Sequence, residues 1–319
     1  LTTVAEAQQF ILAHARSFGT ESVPLAAALG RVLAQPVIAD RDYPPFDRAT
    51  MDGYAVQSAD FQHNAKVSLR LLERIYAGDT GTQIVETGTC SKIMTGAPVP
   101  SGADAVVRVE DTQLEGDQVR FTMTSVRGGQ NIARRGEDAH QNDLLLNDNL
   151  LITPQAASVL AVTGHADVVV ARLPTVGIVS TGNEVIPLGA PVLPHQIRDS
   201  NAWALRGFFA TCQITDVTAT LAADDKAALR DTVAGLLEQK DIVVLSGGVS
   251  KGDADYVPEV LQSLGVRQVF HRVRIKPGGP LWFGVTAGGK AVFGLPGNPV
   301  SVQVACKVFI EPYLRACFG

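Results

Sequence analysis

From residue 173 onward the chain repeats one pattern: a short β-branched run, a turn, then an amphipathic helical stretch. The runs are TVGIVS (175–180), VTATLAAD (217–224), DIVVL (241–245) and KAVFGL (290–295). Asp199, Ser200 and Asn201 precede a helix carrying Ala202, Leu205, Phe208 and Phe209. Asp224 can cap a second, with Leu229, Val233, Leu236 and Leu237 on its apolar side. A third starts near Asp255, carries Val257, Val260, Leu261 and Leu264, and stops at Gly265; Asn298-Pro299 open a long final helix. Strands alternating with helices of this length predict an α/β domain, a mostly parallel sheet covered on both faces in three layers.

The front of the chain reads differently. Residues 3–18 suit an amphipathic helix, with Thr3 and Glu6 as a capping box and Val4, Phe10, Ile11 and Phe18 as its apolar positions. A short helix is expected around Leu25–Leu33, and another from Thr153-Pro154 to near Gly164. Between them, VSLRLLERIYA (67–77) and ADAVVRVEDTQLEGDQVRFTM (103–123) favour strands, with a hairpin turn at Glu115-Gly116-Asp117. The expected organisation is an elongated mixed module (1–40 and 131–172), an inserted small β domain (41–130) and the α/β domain (173–319).

Composition narrows the partners. Hydrophobic residues make up 46% of the 319 residues and charged ones 18%, enough apolar content for sizeable cores. A net charge of −5 argues against a nucleic-acid or anionic-membrane binder. No apolar run approaches the roughly 18–20 residues needed to span a bilayer, and the opening LTTVAEAQQF has no basic-then-apolar signal pattern. The four cysteines are scattered, without Cys-x-x-Cys, so a reducing cytoplasmic location is the default.

Ligands of open α/β sheets bind beyond the carboxyl ends of the strands. Three such ends carry glycine-containing turns: STGNE (180–184), SGGVSKGDAD (246–255) and PGNPVS (296–301). Turns of this kind present backbone N–H groups to oxyanions. None is a Walker A loop or a Gly-x-Gly-x-x-Gly fingerprint. Glu184, Asp253 and Asp255 fall just past strand ends, where carboxylates beside a phosphate require a hard cation between them; Mg²⁺ is the usual choice. The bland reading makes Asp255 a helix cap and Glu184 a solvated acid. In HRVRIKPGGP (271–280), Arg272, Arg274 and Lys276 share one face if the segment is a strand, either as a solvated face or as an anion clamp. In the front module, FDRATMDGYAV and RRGED bring Asp47 and Asp52 and two arginines with two acids into turns that ion pairs can hold, and Thr95 sits in the tight turn MTGAP. The histidines read as surface or packing residues, and Trp203 and Trp282 as core.

MDGYAV, MTGAPVP, GED, STGNE, SGGVS-x-GD-x-DY, IKPG-x-P and LPGNPVS occur in that order. As an ordered set over nearly the whole chain, they resemble the molybdopterin molybdenumtransferases, the MoeA type that includes the gephyrin E-domain. The resemblance implies an L-shaped homodimer whose first module dimerises and whose α/β domain is catalytic. It implies insertion of molybdate into adenylyl-molybdopterin with release of AMP, assisted by Mg²⁺, with a molybdopterin adenylyltransferase as pterin donor. By motif match, Asp255 and Glu184 stand for the metal and pyrophosphate acids, and Lys276 for the anion-binding lysine. Ser246, Gly247, Gly248 and Ser250 stand for the oxyanion loop, and Pro296, Gly297, Asn298 and Ser301 for the second loop. Asp52, Thr95 and Asp138 belong to motifs that reach the active site across the dimer, and Asp224 to an acidic position facing the pterin; Asp253 and Arg272 are candidate substrate contacts from their position in the sequence alone.

The departures are specific. The second lysine of IKPGKP is Gly279, the Asn of FDNSAMDGYA is Arg48, and the Gly-Asp after GED is Asn142-Asp143. The family continues beyond IEPYLRACFG with a small β-barrel domain that this sequence does not contain. Two other readings compete: a molybdopterin adenylyltransferase, which shares the catalytic fold but not the front module, and a non-catalytic dimeric scaffold of the gephyrin kind.

Overall fold

A computed structural model describes residues 1–61, 66–249 and 256–319. The chain forms two compact units, Pro36–Asn147 and Leu1–Gln35 with Asp148–Gly319.

The unit Pro36–Asn147 is built on a six-stranded sheet. Its strands are β1 (Gly53–Val56), β2 (Ser68–Ile75), β3 (Thr89–Ile93), β4 (Ala105–Arg108), β5 (Thr112–Glu115) and β6 (Gln118–Phe121), in the spatial order β4-β1-β3-β2-β6-β5. All pairs are antiparallel except β2 with β3, and the β5–β6 hairpin turns where the sequence places it, at Gly116-Asp117. Every residue of β1 is buried, because both faces of this inner strand are covered. Tyr54 and Val56 point into a cluster with Phe61, Leu69, Val107 and Phe121, while Ala55 points into a second with Ile75, Ile93 and Val106. Gly53 is obligatory for a steric reason: a Cβ there would lie 1.9 Å from the Val107 carbonyl oxygen on β4.

The second unit holds the expected α/β sheet. Its strands are β7 (Val176–Thr181), β8 (Val217–Ala222), β9 (Ile242–Ser246), β10 (Arg267–His271), β11 (Trp282–Val285) and β12 (Ala291–Leu295), ordered β8-β7-β9-β12-β11-β10. The first four in this order run parallel; β11 and β10 form an antiparallel edge. The helices are α1 (Val4–Leu12), α2 (Pro154–Val162), α3 (Ser200–Thr211), α4 (Lys226–Gln239), α5 (Val257–Ser263), α6 (Pro299–Ala305) and α7 (Glu311–Phe318), apart from a one-turn helix at Leu25–Ala28.

Strand alternation builds two cores. Ile178, Ile242, Val244 and Phe293 pack against α1, α3, α6 and α7; Val179, Val243, Leu245 and Val292 pack against α4 and α5 on the opposite face. The helix after β7 therefore covers one face and the helix after β9 the other. A crevice consequently opens between the carboxyl ends of these adjacent strands, where an open α/β sheet binds its ligand.

Several elements differ from the sequence reading. Thr3 and Glu6 form the capping box, but α1 stops at Leu12 and not near residue 18: past it the chain tightens into three-residue turns, His14 N–H to the Ile11 carbonyl (3.1 Å) and Ala15 N–H to that of Leu12 (3.0 Å), before the strand Thr20–Pro24. The helix expected over 25–33 is a single turn, closed by Gly30 at φ +75°. The final helix is interrupted by a π turn at Cys306–Ile310. Pro312 has no N–H for the Val308 carbonyl, which accepts from Gln8 Nε2 at 3.0 Å instead. Trp282 is core at 1% exposed, whereas Trp203 is 57% exposed and lies near the Arg206 guanidinium, so the core reading of Trp203 is corrected.

Candidate active site at the sheet edge

The carboxyl ends of β7 and β9 set two serines side by side. Ser180 and Ser246 are in register and almost wholly buried. Around them lies a cleft of about 430 Å³, reached by Glu184, Asn201, Asp224, Gly248, Pro296 and Gly297. The turn after β9 needs its glycines: Gly247 lies at φ +93°, and a Cβ there would meet Thr181 Oγ1 at 2.7 Å. Gly248 lies at φ +66° against Val257. The backbone can thus run close to the cleft.

Asn201, which the sequence reading used only to mark a helix start, ties two of the loops together. Its Nδ2 donates to Ser246 Oγ and to the Gly297 carbonyl, both at 2.8 Å. The Ser246 hydroxyl, having accepted, keeps its own proton to donate. Asn201 Oδ1 and Ser180 Oγ are buried without a hydrogen-bond partner among the described residues. The available signal for Asn201 was its place in Asp199-Ser200-Asn201. Asp199 caps α3 through the Ala202 N–H (3.0 Å), which fixes Asn201 in the first helical turn beside the sheet edge. His271 was also missed: its Nε2 donates to the Val249 carbonyl at 2.9 Å, anchoring the far end of the glycine turn.

Asp224 does not cap α4. That role belongs to Asp225, whose Oδ1 takes the Ala228 N–H at 2.8 Å. Asp224 is left at the cleft, where it accepts the Asn183 N–H and donates its own N–H to Asn183 Oδ1. Glu184 lines the same cleft, exposed, and its carboxylate has no hydrogen-bond or ion-pair partner among the described residues. The acids at this edge offer only hard oxygen donors, the donor chemistry that Mg²⁺ prefers. Ser250, Asp253 and Asp255 lie outside the described residues.

Of the second loop, Pro296 and Gly297 line the cleft. Asn298 turns its side chain to its own helix, accepting the N–H groups of Val300 (2.9 Å) and Ser301 (3.3 Å), and Ser301 is buried. The cationic run is not a strand: β10 ends at His271, and Arg272 takes a left-handed conformation, φ +76°, while its N–H returns to the Leu281 carbonyl (2.7 Å). Arg272, Arg274 and Lys276 instead line a neighbouring cleft of about 490 Å³, and Pro280 is a wall of both clefts.

In the unit Pro36–Asn147, Asp52 Oδ1 receives both the N–H and the hydroxyl of Thr95, each at 2.7 Å. Those two bonds, the N–H foremost, hold its carboxyl below the ordinary aspartate range. Asp138 donates its N–H to the Tyr43 carbonyl (2.9 Å). The turns around it are held by ion pairs, Arg134 to Asp47 and Arg135 to Asp42.

With this geometry in hand, the comparisons are specific. Residues 2–164 match the MoeA N-terminal region (domain I and II), and residues 177–316 match the probable molybdopterin binding domain. A molybdopterin molybdenumtransferase of Nostoc sp. is 37% identical over 94% of this chain and 70% of its own length. One from Staphylococcus aureus is 31% identical over 99% of this chain and 76% of its own. The crystal structure of a molybdopterin biosynthesis MoeA protein from Pyrococcus horikoshii, 31% identical, superposes with a TM-score of 0.85, covering all of this chain and 80% of that one. A front region that matches the MoeA N-terminal model, and molybdopterin molybdenumtransferases at 31–37% identity that align over 94–99% of the chain, make this chain a member of the MoeA family of molybdopterin molybdenumtransferases.

Proposed function

We infer that this chain is an enzyme of molybdenum cofactor biosynthesis, a molybdopterin molybdenumtransferase, and we propose that it inserts molybdate into adenylyl-molybdopterin and releases AMP. The observation that carries the reaction is the cleft where β7 and β9 end: two serine hydroxyls in register, a glycine turn that brings backbone close, and carboxylates from two neighbouring loops. Both substrates present oxyanions, and breaking the adenylyl link calls for charge neutralisation and positioning more than for a strong nucleophile.

The chain's own residues divide this work. Ser246, its acceptor side occupied by Asn201, donates toward the cleft. The Gly247-Gly248 turn allows the phosphate to approach the backbone. Asp224, fixed by Asn183, sets a carboxylate at the pterin side. Mg²⁺, when bound, neutralises the pyrophosphate charge, and Glu184 is the described residue that would hold it. Lys276 and Arg272 supply cationic charge across the Pro280 wall. The chain works as a homodimer in the cytoplasm, where Asp52, Thr95 and Asp138 of one copy complete the site of the other, and a molybdopterin adenylyltransferase hands over the adenylylated pterin. No described helix is long and apolar enough to cross a membrane.

The test is AMP release from adenylyl-molybdopterin, with and without molybdate and Mg²⁺, beside Glu184→Gln. Release that needs both ions and fails in the variant is expected. A folded protein that releases no AMP, or that adenylylates molybdopterin from ATP, would overturn the reading. Sedimentation of the purified chain as a monomer at working concentration would remove the homodimer from it.

A further inference from the structure

Beside the serine cleft, toward the outer edge of the same sheet, lies a second cleft of about 410 Å³. β8 is the outermost strand there, so the backbone groups on its free side face no neighbouring strand among the described residues. Asp199 lines both clefts. Its Oδ1 caps α3 through the Ala202 N–H, and its Oδ2 has no hydrogen-bond partner among the described residues. Trp203 forms a wall of the second cleft with its indole more than half exposed. The Arg206 guanidinium stands 5.9 Å from the centre of that ring and makes no ion pair with a described residue. Leu188 and Leu221 complete an apolar rim, both exposed. A single exposed leucine is ordinary, but an indole and two leucines around a concavity, with a few polar groups turned toward it, have the make-up of a ligand site.

We propose that this cleft takes a planar nitrogen heterocycle bearing an exocyclic amino group, stacked on the open face of Trp203. The indole offers a flat apolar face that another flat ring covers well. Asp199 Oδ2 accepts from the amino group, and Arg206 donates to the acceptors of the ring. The serine cleft suits oxyanions and adjoins through Asp199, so a phosphate joined to such a ring spans the two clefts. Adenine and pterin both fit this description. Naming these two sources rests on the function proposed above, whereas the site itself rests on the chemistry of the cleft. Trp203 thereby positions the substrate from outside the reacting centre.

The test measures binding without turnover. The full chain is titrated calorimetrically with AMP, with 6-hydroxymethylpterin and, as a control without a ring, with inorganic pyrophosphate. Wild type, Trp203→Ala and Trp203→Phe are compared, with circular dichroism confirming the fold of each. Trp203→Ala should weaken at least one ring probe by about tenfold, the scale of one lost base–aromatic stack. Trp203→Phe should keep most of that affinity, and pyrophosphate should bind all three proteins alike. The probe that weakens identifies the source. The chain has two tryptophans and Trp282 is core, so acrylamide quenching of the wild type reads Trp203, and the saturating ring probe should shield it. Ring binding that is absent from the wild type, or unchanged in Trp203→Ala, would overturn the site. An equal loss of pyrophosphate affinity would overturn it too, because the residue would then act through the serine cleft. Shielding of Trp203 that grows with protein concentration and needs no probe would assign this face to a second copy of the chain instead. Ring binding that behaves as expected in a chain that releases no AMP would count against the proposed reaction and not against this site.

Discussion

Asn183 and Asp224 each donate a backbone N–H to the other's side chain, at 3.1 Å in both directions. This reciprocal pair joins the loop after β7 to the loop after β8 at the mouth of the cleft. Asp224→Asn keeps an acceptor for the Asn183 N–H and removes only the charge. Its thermal midpoint should stay near that of the wild type while AMP release falls. Asp224→Ala should lower both, since it also unties the loop. Unchanged AMP release in Asp224→Asn would show that the residue acts by shape alone.

Asn201 joins the loops after β9 and β12 through one amide group. Asn201→Ala removes two neutral hydrogen bonds and leaves the Gly297 carbonyl to find water, a loss of about 1–3 kcal/mol in denaturant unfolding. Asn201→Asp keeps the size, cannot donate, and sets a negative charge beside Ser246. Its AMP affinity should fall below that of Asn201→Ala. Equal affinities in the two variants would mean that no anion approaches Ser246.

These two residues mark the limit of what the sequence discloses. The strands TVGIVS, DIVVL and KAVFGL were legible because burial on both faces leaves continuous apolar runs, and the sheet edge followed from their order. The Thr3–Glu6 box was legible because a cap is a local contact. Asp224 and Asp225 could not be told apart locally. Either can cap a helix one residue offset, and the choice is made by Asn183, 41 residues earlier in the chain. Arg272, Arg274 and Lys276 mimic strand alternation, but the return of the Arg272 N–H to Leu281 ends β10 first. Trp203 looked like core by residue type alone, and its side of α3 is exposed. Hydrophobic pattern thus pointed to the candidate site, while the contacts that shape it are long-range and polar.

Acid sensitivity should be concentrated at the amino end of β9. Burial alone would raise the Asp241 carboxyl, but Arg172 (3.0 Å), the Thr175 N–H (2.9 Å) and the Thr175 hydroxyl (3.2 Å) outweigh it and hold the carboxyl low. A depressed carboxyl contributes stability that is fully present above its unfolded value, near about 3.9, and is lost as pH falls through the folded value. Asp241→Asn should therefore reduce stability at neutral pH and flatten its decline below about pH 4. Parallel acid-unfolding curves for the two proteins would refute the assignment.

Buried thiols should separate from the half-buried one. Burial pushes the thiols of Cys90 and Cys306 up to about 12, so neither carries thiolate at neutral pH. Cys212 is partly exposed, and burial raises its thiol as well. Alkylation of the native chain followed by peptide mapping should label Cys212 first, with Cys90 and Cys306 reacting only after denaturation. Early labelling of Cys90 would show that the β domain opens more readily than its packing implies.

Asp52 and Thr95 offer a test confined to the unit Pro36–Asn147. The Thr95 N–H and hydroxyl both hold the Asp52 carboxyl below its ordinary value, with a smaller pull from Lys92. Thr95→Val keeps the N–H bond and deletes the hydroxyl bond, so the carboxyl should titrate higher than in the wild type but still below neutrality. Carbon-13 NMR of the Asp52 carboxyl reads this directly. At neutral pH Asp52 stays ionised in both proteins, so any loss of AMP release in Thr95→Val comes from the orientation or the missing hydroxyl and not from protonation. Asp52→Asn, which removes the charge and keeps an acceptor for Thr95, separates the two. A variant set in which Thr95→Val is active and Asp52→Asn inactive assigns the role to the charge; the reverse assigns it to the hydroxyl. An unchanged Asp52 titration in Thr95→Val would show that the backbone N–H alone holds the carboxyl low.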